Sequence, residues 1–448
     1  MDADVLFGKG QSMRGNAVET MPSLAAASPP SAQRHRESLS VLSYVVAIFV
    51  ILAVAFSTVG SVNVAVKVLG VLLGFVFLLS SFRSRMLLPP EVFLYLAWFT
   101  WSLLGVLVAV SLFLFQAKAM TVFQIWVLLV IMTGYTNSRR KLSLVMLACF
   151  IAIAIVAVAS VVTRSYTMGV AEERLTGLGR NSNGFGRMMV YATACLMYFW
   201  MLPTRWGRVK GVALVGLMAL FAFGAVKSGS RFSLLGLALL YVLWIFFCYR
   251  GAVLRRPVLS VLALFGLIVG AYLFFAFAVE GALVWRRMFN AWNTLVTGTK
   301  SEGSSRVRVE MYRLGGQILL EHPFIGIGLG NFLVVTGRGH SSHSEYVAVA
   351  ACTGVPGALL YFAIYAVLWR RTRRIRKLTQ DPHVKRVAGF TMAVVIVVLF
   401  VGLGAPNYYS KIVCILLGLL IGYTNVVWHA LQQREGETAG PQSAGALS

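Results

Sequence analysis

Apolar runs of about 20 residues recur along most of the chain, each long enough to cross a hydrocarbon core as a helix. None shows the period-2 alternation of a membrane β-barrel strand. In lipid the backbone must satisfy its own hydrogen bonds, which leaves helices as the solution. About twelve spans are predicted, at 41–59, 62–81, 91–113, 118–136, 142–163, 184–203, 209–226, 231–249, 257–279, 344–369, 387–404 and 410–430. The predicted fold class is an all-α polytopic membrane protein. A disordered cytoplasmic lead (1–40) and a cytoplasmic tail (431–448) would flank one transmembrane domain (41–430).

Composition agrees with the pattern. Hydrophobic residues make up 58% of the chain and charged residues 12%, about half the charged fraction of a soluble domain. The first 38 residues are polar and lack the apolar core of a cleavable signal peptide. The five cysteines lie in or beside apolar runs without a C-x-x-C pair, so they read as small buried apolar residues.

Charge orients the spans. With twelve spans, RSR at 83–85, RRK at 139–141, Arg205, Arg208 and Lys210, RR at 255–256 and RRTRRIRK at 370–377 all fall on one side. Cytoplasmic loops collect Lys and Arg, so both termini are expected inside. The net charge of +25 is then largely topogenic, and nucleic acid is not an expected partner.

The opposite face holds two substantial loops, about 164–183 and 280–343. The second is long enough to be functional, with a helix predicted over about 306–321. Positive residues here break the topogenic trend, and they are mostly arginines, among them Arg174, Arg180, Arg187, Arg231, Arg306 and Arg308. A guanidinium fork fits phosphate bidentately and stays charged. These arginines therefore point to a phosphorylated, lipid-linked ligand. Arg308 and Tyr312 are four apart and share a helix face, which favours Arg308 over Arg306 as the residue aimed at a cavity. Acidic residues outside are scattered glutamates with no aspartate and no D-x-D, so neither a metal nor a cofactor is expected.

Ser342-His343-Ser344-Glu345 fits an S-x-x-E capping box ahead of an apolar run. Ser342 would be the N-cap, Glu345 would be N3, and His343 would be the first helical residue. The positive end of the helix dipole disfavours imidazolium, and a neutral imidazole is able to act as a general base. His340 would be a neighbour or substrate contact. The glycines of GIGLGN (326–331) follow a helix-like segment rather than a strand, so they do not mark a nucleotide loop. They would let the chain re-enter tightly beside a ligand.

Three stretches together resemble the O-antigen ligase/polymerase family of polytopic glycosyltransferases. They are RLTGLGRNSNGFGRM (174–188), SGSRFSLLGL (228–237), and SSRVRVEMYRLGGQILLEHPFIGIGLGNF (304–332) followed by HSEYVAVAACTGVPG (343–357). Tyr312 stands where the family has Trp, Ser344 where it has Asn and Val347 where it has Leu. The spacing from His343 to Gly354 matches, which makes His343 the equivalent of the family's functional histidine. The resemblance implies a GT-C-like fold in the bacterial inner membrane with a periplasmic active site. It implies an undecaprenyl-pyrophosphate glycan as donor and, for a ligase, a sugar hydroxyl of lipid A–core as acceptor, giving lipopolysaccharide. His343 would deprotonate the acceptor. Arg231 and Arg308, with Arg174, Arg180 or Arg187, would bind the pyrophosphate, and Arg306, His340 and Tyr312 would line the substrate site. A single displacement would invert the anomeric centre.

O-antigen polymerase and protein O-oligosaccharyltransferase share the family. A flippase for lipid-linked sugars is the alternative of another class, and a chain with no internal repeat and almost no acids within its spans disfavours it.

Overall fold

The computed structural model describes residues 39–56, 60–83, 88–163, 166–169, 172–177, 181–203, 207–255, 303–338 and 342–439. The helices are α1 (Val41–Ala55), α2 (Gly60–Arg83), α3 (Pro90–Leu103), α4 (Leu112–Tyr135), α5 (Arg139–Val162), α6 (Ser182–Met201), α7 (Gly207–Lys227) and α8 (Arg231–Arg255). They continue with α9 (Gly303–Glu321), α10 (Phe332–Thr336), α11 (Glu345–Leu378), α12 (Pro382–Gly402) and α13 (Lys411–Ala439). A 3-10 turn, Leu104–Leu107, extends α3. Among the described residues, eight helical stretches are long and apolar enough to cross a membrane: Pro90–Leu107, Leu112–Tyr135, Arg139–Val162, Val209–Lys227, Arg231–Gly251, Glu345–Leu378, Pro382–Gly402 and Lys411–Glu435.

Helix covers eleven of the twelve predicted stretches. The ninth, 257–279, lies outside the described residues, as do most of the lead, Arg180 and His340. The described residues are helical throughout the bundle, as expected, with one short addition. The loop at 164–183 contains an antiparallel hairpin, β1 (Tyr166–Gly169) with β2 (Glu172–Leu175), in which Tyr166 faces Leu175 and Gly169 faces Glu172. Tyr166 and Thr167 favour extended backbone, and a two-residue separation between the strands suits a tight hairpin.

Polar caps end the apolar runs. The Ser138 hydroxyl accepts the Lys141 N–H at the start of α5, and Asn181 Oδ1 accepts the Gly184 N–H at 2.7 Å at the start of α6. Asp381 caps α12, with Pro382 in the first turn. The outward faces carry exposed Val68, Leu72, Phe75, Phe113, Val162 and Val212. Such broad apolar exposure is what a lipid-facing bundle presents and a water-facing one avoids. Inside, Trp98 is fully buried among the rings of Tyr95, Tyr361 and Tyr408.

Helix α11 is two helices joined at Gly354, whose φ of 70° and ψ of −177° are non-helical. The short limb, 345–353, doubles back along the long one. The Tyr346 ring stacks on Phe362 with centroids 5.0 Å apart, and the Tyr361 hydroxyl donates to Glu345. The GIGLGN loop holds this break shut. Ile327 and Gly328 N–H donate to the Ala351 and Cys352 carbonyls at 3.0 and 3.1 Å, and Val355 N–H donates to the Pro323 carbonyl at 2.7 Å. The first two satisfy carbonyls that the end of the short limb leaves orphaned, and the third satisfies an N–H at the start of the long limb. Gly326, Gly328 and Gly330, all at positive φ, each approach protein backbone closely. A Cβ on Gly326 would lie 2.5 Å from the Ala351 carbonyl oxygen.

Candidate functional site

The expected capping box does not form. The helix starts at Glu345 with Ser344 as N-cap, so His343 sits one residue ahead of the cap rather than in the first turn. The reason is where the side chains go. The Ser342 hydroxyl donates to the Ser344 carbonyl at 2.9 Å. The Glu345 carboxylate, instead of reaching back to Ser342, turns inward and accepts from the Tyr361 hydroxyl and the Asn407 N–H. His343 has φ 53°, the one non-glycine in the left-handed region among the described residues. That conformation keeps it out of the helix and turns the chain into the short limb.

The connection between α12 and α13, residues 403–410, is where elements carrying several of the predicted site residues meet. Tyr312 of α9 donates its hydroxyl to the Leu403 carbonyl at 2.7 Å. One turn earlier on α9, the Arg308 guanidinium lies 5.3 Å from the centroid of the Phe232 ring. Phe232 follows Arg231, the first residue of α8, and packs so closely on Gly404 that a Cβ there would come within 2.6 Å of its ring. From α6, Arg187 Nη1 donates to the Pro406 carbonyl at 3.2 Å and to Asn407 Oδ1 at 2.9 Å. Asn407 Nδ2 donates to the Val398 carbonyl at 2.9 Å. Four elements carrying Arg187, Arg231, Arg308 and His343 thus converge on one short turn. Sequence reasoning missed that turn. Its one signal was an asparagine among aromatics in GAPNYYS between two predicted spans.

Electrostatics at α9 are mixed. Burial lowers the Arg308 pKa from its very high ordinary value, and Tyr312 offsets part of this. Burial raises the Tyr312 phenol, while Arg308 and Ser344 pull it back. Arg187 has its Nε buried with no hydrogen-bond partner among the described residues. The Lys118 ammonium lies 3.9 Å from the centroid of the Tyr409 ring, at the edge of the same turn. Arg174 lies in β2 and Arg306 in the first turn of α9. Arg338 pairs instead with Glu310 on the surface. Among the described residues, no three His, Cys, Asp or Glu side chains gather as a metal site would require.

The arrangement defines a polytopic helical membrane protein in which elements bearing Arg187, Arg231, Arg308 and His343 meet at a candidate site. A family model described as O-antigen ligase matches residues 216–362, from within α7 to the long limb of α11. That stretch is similar to the O-antigen ligase family. It includes Arg231, Arg308, Tyr312 and His343, whereas Arg187 and Asn407 lie outside it. None of the curated proteins matches the chain. Among solved structures, a chain from work on the structural coordination of polymerization and crosslinking by a peptidoglycan synthase complex is 14% identical. It has a TM-score of 0.43 over 77% of this chain and 97% of that one. A likeness that loose bears on neither fold nor activity.

Proposed function

We propose that this protein is an O-antigen ligase. It transfers a glycan from undecaprenyl pyrophosphate to a sugar hydroxyl of lipid A–core. His343 takes the proton of the acceptor hydroxyl as its oxygen attacks the anomeric carbon. The bond from that carbon to the pyrophosphate oxygen breaks, the anomeric centre inverts, and undecaprenyl pyrophosphate leaves with the bonding pair. Arg187, Arg231 and Arg308 offset the charge that builds on the leaving group. Arg174, Arg180, Arg306, His340 and Tyr312 complete the substrate site from the flanking segments. Pyrophosphate leaves readily, so no general acid is required, and the reaction is metal-independent. The topology is twelve spans in a GT-C-like arrangement in the bacterial inner membrane, with both termini cytoplasmic and the site periplasmic. The Lys- and Arg-rich breaks on the opposite side support this orientation.

The observation that carries the reading is the convergence of three arginine-bearing helices and the His343 segment on the turn at 403–407. The test is transfer by purified protein given an undecaprenyl-pyrophosphate glycan and lipid A–core. Glycan should appear on lipid A–core, His343→Ala should abolish transfer while donor still binds, and a chelator should have no effect. Lengthened lipid-linked chains would assign a polymerase instead. Full activity of His343→Ala would overturn the base.

A further inference from the structure

Glu345 is 2% exposed and carries a carboxylate two residues beyond His343. Burying an acid costs several kcal/mol unless its oxygens are satisfied. Here both are: one accepts from the Tyr361 hydroxyl and the other from the Asn407 N–H. Tyr361 is in turn 3.1 Å from the Tyr365 hydroxyl. Asn407 is the residue whose side chain accepts from Arg187. A single carboxylate therefore joins the short limb of α11, the long limb of α11 and the turn that orients a guanidinium.

The next residue is pinned as well. The Tyr346 hydroxyl donates to the Leu399 carbonyl of α12 at 3.1 Å. Two consecutive residues are thus tied to different elements, and the strained His343 stands two positions before them. A left-handed backbone at a non-glycine costs about 1–3 kcal/mol and persists only where its surroundings over-determine it. Glu345 supplies the innermost of those ties.

We propose that Glu345 is a positioning residue, which through Tyr361 and Asn407 fixes the His343 segment relative to Arg187. The proposal rests on the ligase reading for its consequence in catalysis, but its geometric content stands apart from it. Hydrogen-bond geometry, rather than charge, does the positioning. Glutamine at 345 would keep the arrangement, its amide oxygen accepting from the Asn407 N–H and its NH2 donating to Tyr361, which then donates to Tyr365. Alanine would not.

The test uses full-length protein and two readouts. The first is kcat and donor KM for transfer. The second is the carbethoxylation rate of His343 by diethyl pyrocarbonate, read by peptide mass spectrometry. Glu345→Ala should lower kcat by about 100-fold, the cost of displacing a reacting group by an ångström, with a smaller change in donor KM, and should raise the modification rate of His343. Glu345→Gln should restore both values close to wild type. Tyr361→Phe removes one tie with little risk to folding, and should fall between the two. Glutamine and alanine variants equally inactive, with His343 modified at the wild-type rate, would mean that Glu345 takes part in chemistry and would overturn the proposal. So would an unchanged kcat and modification rate in both Glu345→Ala and Tyr361→Phe. Should wild-type protein transfer no glycan at all, the ligase reading fails, and the His343 modification rates alone decide the positioning claim.

Discussion

Two groups of arginines sit towards opposite ends of α11, and they are held in different ways. Near the far end of its long limb, Arg371 is buried and paired with the buried Glu91 of α3 at 2.9 Å. It also donates to the Ile421 carbonyl and the Thr424 hydroxyl, each at 3.2 Å. Near the short limb, Arg187 is held by neutral oxygens and Arg308 by an aromatic face, and neither makes an ion pair among the described residues. The first arrangement cancels a charge within the protein. The second orients charge without a direct ion pair among the described residues, with Glu345 acting on Arg187 only across Asn407. A membrane protein gains from the first kind as structure, whereas the second is what the proposed diphosphate site requires.

Breaking the paired arginine should have the largest effect, and on stability. Glu91→Ala leaves a buried guanidinium uncompensated, at an expected cost of about 3–5 kcal/mol. Replacing both partners, as in Glu91→Leu with Arg371→Leu, should recover most of that loss, because apolar packing often matches a buried ion pair. Thermal unfolding in detergent reads both. Transfer per folded molecule should stay near wild type.

Removing an uncancelled arginine should reverse the pattern. Arg308→Ala should lower transfer by about 10²–10³-fold, the scale for losing one preorganised donor to a developing anion, with the unfolding midpoint little changed. Arg187→Ala should act in the same direction. An Arg308→Ala protein that unfolded early but turned over normally would make Arg308 structural.

Between these lies the backbone at Gly354, which serves the site end without bearing charge. Its φ of 70° with ψ near 180° is glycine territory, and a Cβ would overlap the Phe324 carbonyl oxygen. Gly354→Ala should destabilise by about 1–3 kcal/mol and lower transfer by loosening the short limb. Unfolding and transfer should fall together, unlike at either arginine.

The bundle was legible because lipid imposes a length and a composition on any helix that crosses it, and both survive in the one-dimensional pattern. The arginines stood out in sequence as residue types that break the charge trend of their predicted side, and His343 stood out by its place ahead of an apolar run. What the pattern could not carry was partnership at long range. Ser342 and Glu345 have capping-box spacing, but Tyr361, sixteen residues on, and Asn407, sixty-two residues on, take the carboxylate instead. Asn407 looks like an ordinary turn residue until Arg187, 220 positions earlier, is seen to use it. The hairpin at 166–175 was missed because four-residue strands leave little periodic signal inside a loop.

The smallest effect should come from Arg338, and it tests whether the comparison turns on position or on pairing. Arg338 follows α10 and, like Arg308, lies within the predicted outer loop 280–343. It differs in its partner, since its guanidinium meets Glu310 of α9 at 2.6 Å with the two side chains 59% and 36% exposed. An exposed ion pair is worth about 0–1 kcal/mol, because water screens the attraction and two long side chains must be ordered to make it. Its charge is also cancelled locally, so little potential remains for a diphosphate. Arg338→Ala should therefore shift the unfolding midpoint barely at all and leave transfer near wild type. If it lowered transfer as far as Arg308→Ala, cationic residues at this end would act by number alone, and the distinction between cancelled and uncancelled arginines would fail where it is easiest to measure.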